Sequence, residues 1–148
     1  MSTNETGSML EDRKVNVKVK LALLWVALMF LYLYNDHFSL LQPGHVAELV
    51  EGHLEGVQFT QRLLFGAAVL MAFPSFMVLL SLTLKARVNR VVNIVVGLLH
   101  ILVLLGTQFV GEGGTWFYWR FYELLEILFL ALIIWTAWKW PASESLNE

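Results

Sequence analysis

The chain has 148 residues, of which 57% are hydrophobic and only 15% charged, with a net charge of -2. Soluble chains carry about 25% charged residues, so a single domain of this length lacks the charge to solvate its own surface and reads as integral to a membrane. The absence of cysteine excludes disulfides, thiolate-ligated zinc, iron–sulfur clusters, thiol catalysis and c-type haem attachment, and no basic cluster is large enough to suggest nucleic acid as a partner.

Residues 1–14 are polar and charged and are expected to form a disordered cytoplasmic N-terminal segment. Four apolar spans follow at about 17–38, 62–84, 89–110 and 116–138. Each holds about 20 residues, enough at 1.5 Å per residue to cross roughly 30 Å of hydrocarbon. A long charged segment precedes the first span and no small-x-small cleavage site follows it, so that span is expected to stay as a signal anchor. The first link, about residues 36–61, is the long one. Inside it, residues 43–55 are expected to form a short helix, with Pro43 in its first turn and Val46, Leu49, Val50 and Leu54 on one face. Such a segment lies on the outer membrane surface or caps the bundle.

Pro74 sits in the middle of the second span and leaves a carbonyl near Leu70 without its helical donor. It either widens a cavity or is a structural bend. A tight link at 85–90 makes a hairpin of spans two and three, and a glycine turn at 111–115 joins spans three and four. Pro141 stops the fourth span, and 142–148 is a cytoplasmic tail. The expected fold is all-α: a four-helix transmembrane bundle, residues 15–141, with a short amphipathic surface helix in the first outer loop.

Charge gives the orientation. Arg13, Lys14, Lys18 and Lys20 precede span one, Lys85, Arg87 and Arg90 lie between spans two and three, and Lys139 follows span four, which makes eight of the ten basic residues. All three regions fall on one side of a four-span protein, and Asp36, Glu48, Glu51, Glu55 and Glu112 fall on the other. The positive-inside rule then places both termini in the cytoplasm of a cell (inner) membrane. Trp116, Tyr118 and Trp119 at one end of span four, and Trp135, Trp138 and Trp140 at the other, form interfacial aromatic belts.

Polar residues inside the spans supply the candidate site. Asn89, Asn93, Gly97, His100, Thr107 and Gly111 follow one another by four, four, three, seven and four, and so share one narrow helical face. That face is either a packing seam, where small residues and amides join helices, or a hydrated path. In span four Arg120, Glu123 and Glu126 are spaced by three. Arg120 can pair with Glu123, whereas Glu126 lies one turn deeper. An acid inside a span is costly and marks a functional site by default. The short glycine turn makes spans three and four neighbours, so His100 and Glu126 can meet as an ion pair or share one proton. Tyr32 and Asp36, one turn apart on span one, can join them, as can Arg62 and Gln108.

Other sites are poorly supported. Only His100 lies within a span, too few for a membrane haem, and no cofactor is expected. His45, Glu48, Glu51 and His53 match no zinc spacing and read as solvated surface residues, and no metal is expected. His37 reads as an interfacial anchor. No phosphate loop, nucleophile elbow or Ser/His/Asp signature is present.

The lead-in Lys14-Val15-Asn16-Val17-Lys18 with Trp25, then Phe73-Pro74-Ser75-Phe76-Met77, Val88-Asn89-Arg90 with Asn93, and Ala137-Trp138-Lys139-Trp140-Pro141 resemble a family of small bacterial four-helix membrane proteins known as a domain of unknown function. The resemblance implies a four-span inner-membrane protein and no activity. The bundle is also loosely similar, in span count and an intramembrane acid, to DoxX-like small membrane proteins, which are associated with redox or quinone-linked complexes.

Three functions fit these observations. The first is binding or transport of a small solute, lipid or proton at a site of Tyr32, Asp36, His100, Arg120, Glu123 and Glu126, with Arg120 attracting an anionic group. The second is a structural or assembly subunit, as a homo-oligomer or within a larger membrane complex. The third is an enzyme acting on a lipid or quinone, with Glu123 and Glu126 as acid and base, for which the residues supply no further reacting group.

Overall fold

A computed structural model describes residues 14–109 and 116–141. The expected disordered N-terminus, the glycine turn and the C-terminal tail lie outside the described residues. The elements are α1 (Val17–Ser39), α2 (His45–Val50), β1 (His53–Leu54), β2 (Val57–Gln58), α3 (Gln61–Thr83), α4 (Ala86–Thr107) and α5 (Phe117–Trp138). Helices α1, α3, α4 and α5 are each long and apolar enough to cross a membrane. The protein is an all-α four-helix transmembrane bundle.

Helix starts follow local chemistry. The Asn16 side chain accepts the Lys18 amide at the head of α1, and the Thr60 hydroxyl accepts the Leu63 amide at the head of α3. These caps satisfy amide donors that a helix terminus leaves open. Large side chains cover the bundle exterior, as lipid-facing surface requires, and the buried core is narrow.

That core is built from heptad-like stripes. Leu21, Trp25 and Leu28 of α1 meet Leu130, Ile133 and Ala137 of α5, together with Met77 of α3 and Val96 of α4. Helix α1 packs on both α3 and α5, and α4 packs on α5. Helices α3 and α4 touch only lightly, although they are joined by a two-residue link. Helices α1 and α4 therefore face each other across the bundle axis.

The α3–α4 seam is closed at the end where the basic residues gather. Asn93 Oδ1 accepts from Trp25 Nε1 at 2.7 Å and from Ser81 Oγ at 3.3 Å. Asn93 Nδ2 donates to Asn89 Oδ1 at 2.6 Å and to the Asn89 carbonyl at 2.9 Å, and Asn89 Nδ2 donates to the Ser81 carbonyl at 2.6 Å. All four side chains are fully buried. A buried amide network is tolerable only when its members are satisfied, and this one ties α1, α3 and α4 together. Toward the opposite end the seam opens. The buried residues of α3 are Pro74, Met77 and Ser81, all from the proline onward. Before it, residues 61–69 are exposed on every face.

Gly97 permits the α4–α5 contact. A Cβ placed on it would lie 2.9 Å from Ile134 Cγ1. Gly97→Leu is therefore expected to destabilise the bundle by about 3 kcal/mol through overpacking, read from denaturation in detergent, with Gly106→Leu in open space as the silent control.

The loop differs from expectation. The expected helix over 43–55 stops at Val50, and a two-stranded hairpin follows, pairing His53 with Gln58 and Leu54 with Val57. Positive φ angles at Gly52, Glu55 and Gly56 (83°, 48° and 80°) end the helix and form the hairpin turn. Glu48 holds the strained residue by accepting the Glu55 amide at 2.8 Å. His53 lies 3.1 Å from Glu51 and 3.9 Å from Glu48. His45 is buried rather than solvated.

Candidate functional site

The core stripes continue past the apolar residues, and there they turn polar. On α1 the series Leu21, Trp25, Leu28 extends to Tyr32 and Asn35 in steps of four, three, four and three. On α5 the series Ala137, Ile133, Leu130 leads back to Glu126, which is only 2% exposed. On α4 the Asn89–Asn93–Gly97 face leads to His100, also 2% exposed. These residues converge on a cavity of about 190 Å³ lined by Tyr32, Asn35, Asp36, Met71, His100, Val103, Leu104, Thr107 and Glu126. Asp36 and Thr107 are exposed and mark its mouth.

The polar stripe of α4 thus divides. Its Asn89–Gly97 half is a packing seam, and its His100–Thr107 half lines the cavity. Pro74 lies at the boundary on α3, and Met71, almost one turn beyond it, forms part of the wall.

His100 and Glu126 share this cavity but are not joined by a hydrogen bond or ion pair. Helix α1 supplies each with a partner instead. Tyr32 Oη lies 3.3 Å from His100 Nδ1, and the Tyr32 ring stacks on the imidazole at a centroid distance of 6.0 Å. The Trp25 ring meets the same imidazole edge-on at 6.1 Å. Asn35 Nδ2 donates to Glu126 Oε1 at 3.4 Å. Two buried atoms on this wall have no partner, Asn35 Oδ1 and His100 Nε2.

Of the sequence candidates, Tyr32, Asp36, His100 and Glu126 come together. Arg120 and Glu123 do not line the cavity. Arg120 Nη1 donates to Glu123 Oε2 at 2.7 Å and also to Gln108 Oε1, and more than half of its side chain is exposed. The guanidinium reaches outward along its flexible stem, as long cationic side chains do near an interface. Arg62 lies on the exposed start of α3, away from the cavity wall. Asn35 is the residue that sequence reasoning passed over, and its heptad position was the available signal. Among the described residues no group of His, Asp and Glu is arranged to hold a metal ion.

A family model matches residues 9–146, nearly the whole chain. The chain belongs to a family of unknown function, DUF6326. Membership assigns no activity to the cavity. No curated protein and no solved structure matches the chain.

Proposed function

We propose that this member of the family binds a small polar solute or a proton inside the membrane, in a transport-type role. Glu126 is the anchoring acid, with His100, Tyr32 and Asn35 around it and Asp36 at the mouth. Both termini lie in the cytoplasm of the cell membrane, an orientation that rests on the basic residues at one end of the bundle. The observation that carries this reading is a carboxyl only 2% exposed on the wall of a cavity of mixed polar and apolar lining, with a single hydrogen bond from Asn35. Glu126 is nine residues into α5, about 14 Å from its start and near the middle of a ~30 Å hydrocarbon layer. A group so costly at that depth is retained for use rather than for stability.

The test is ligand response. The purified full chain in detergent, screened against small cations, anions and neutral solutes, should be thermally stabilised by at least one of them. A ligand at 100 times its Kd contributes about 2.7 kcal/mol, and Glu126→Gln should remove that stabilisation. In proteoliposomes loaded with a pH-sensitive dye, the same substitution should abolish any proton flux. A chain silent in both assays would leave no binding role.

A structural or assembly subunit is the second reading. It is favoured by the outer half of α3, where residues 61–69 find no cover among the described residues. A stoichiometric partner retained through mild-detergent purification would support it. An enzyme acting on a lipid or quinone has less support, because about 190 Å³ is smaller than the roughly 300–1,000 Å³ of most ligand pockets.

A further inference from the structure

We propose that the cavity is selective for a small cation that donates hydrogen bonds, ammonium or a primary alkylammonium of the size of methylammonium. The inference rests on the binding reading above and names its ligand class.

Charge is the first argument. Two carboxyl groups, Asp36 and Glu126, line the cavity, and among the described residues no lysine or arginine does. The nearby guanidinium, that of Arg120, is engaged by Glu123 and Gln108. An anionic ligand would meet carboxylates without a counter-charge, which is expensive in a low-dielectric surround. A cation meets two.

The unmet hydrogen-bond capacity is the second and independent argument. Asn35 spends one N–H on Glu126, and its buried Oδ1 has no partner. That atom accepts and cannot donate. Each ionised carboxyl offers two oxygens with several acceptor sites, and Asn35 fills only one of those on Glu126. His100 Nδ1 is engaged with Tyr32 Oη, and its Nε2 is buried without a partner. In the tautomer where Nδ1–H donates to the tyrosine oxygen, Nε2 is a further acceptor. Asn35 Oδ1 and the carboxyl oxygens accept whichever tautomer His100 adopts, and a ligand with three or four N–H groups suits them. A bare metal ion would need a closer ligand set, and none is present among the described residues.

Size is the third. A volume of about 190 Å³ corresponds to roughly six waters at ~30 Å³ each. Methylammonium with a few waters fits it. The titratable groups that line the cavity with Glu126 are Tyr32 and Asp36 from α1 and His100 from α4, and α3 contributes the neutral Met71.

The experiment is calorimetric titration of the full chain in a neutral detergent with five chlorides (ammonium, methylammonium, tetramethylammonium, potassium and sodium), and with sodium acetate and urea. Saturable binding of ammonium and methylammonium is expected, weakened at least tenfold in Glu126→Gln. Asp36→Asn, at the exposed mouth, should weaken it severalfold without risk to folding. Tetramethylammonium, which has no N–H, should not bind. Equal binding of tetramethylammonium, potassium or sodium overturns the hydrogen-bond basis. A saturable response to acetate or urea that Glu126→Gln removes overturns the cation inference and leaves the binding reading standing. So does proton flux with no response to ammonium. Silence toward every solute and no flux overturns both.

Discussion

Asn93→Ala is expected to cost the bundle about 2–3 kcal/mol. The side chain makes four hydrogen bonds, to Trp25, Ser81 and twice to Asn89. Hydrogen bonds between membrane helices average about 0.6 kcal/mol each and reach about 1.7. Truncation also leaves the buried indole N–H and the Asn89 amide oxygen without these partners, and unsatisfied buried groups raise the cost. Unfolding in a graded mixture of mild and denaturing detergent measures the loss. Thr83→Ala serves as the control, because its hydroxyl bonds only to its own helix at Leu79 and is exposed. If Asn93→Ala falls within the ~0.5 kcal/mol scatter of such surface changes, the network does not hold the three helices.

Glu126→Leu should act in the opposite sense. Leucine is close in volume, continues the Leu130–Ile133–Ala137 stripe and removes an acid buried to 2% exposure. A stability gain of about 1–2 kcal/mol is expected, together with complete loss of ligand response. Such a trade is the signature of a residue kept at a thermodynamic cost for function. The Asn35 amide, which loses its acceptor, is half-buried at the cavity and can turn to water. Thermal melting with and without methylammonium separates the two effects. A loss of stability instead would make Glu126 a helix tie and sink the binding reading.

The spans were legible because length and apolar character are local properties. So was the face shared by Asn89, Asn93, Gly97 and His100, which follows from helical period alone. Which part of that face packs and which part lines a cavity depends on the facing helix, and no local pattern carries it. Sequence adjacency suggested that His100 and Glu126 meet, since α4 and α5 are neighbours. They are neighbours, but α1 lies against α5 and brings Tyr32 to one residue and Asn35 to the other. Asp36 drew notice through its charge, and its neighbour Asn35 occupies the inward heptad position. For Arg120, spacing by three put it on the same third of the helix as Glu126, but the length of its side chain let it turn to Gln108. The hairpin was announced by Gly52 and Gly56, whose conformational freedom ends a helix whatever the apolar spacing around them.

The light contact between α3 and α4 has a bearing on how the chain is made. A ribosome delivers α1, α3 and α4 to the bilayer before α5 exists, and domains assemble in the order their partners become available. At that stage α1 can pack on α3, whereas α4 is held by its amide network and still lacks the helix it packs on most closely. During this interval Asn89 and Asn93 can already engage Ser81 of α3, and Tyr32 of α1 is already available to His100. Of the four described spans, the last to emerge carries Glu126 and closes the bundle around it. The step that a membrane insertase has most reason to assist is therefore the insertion of the span that carries this buried acid.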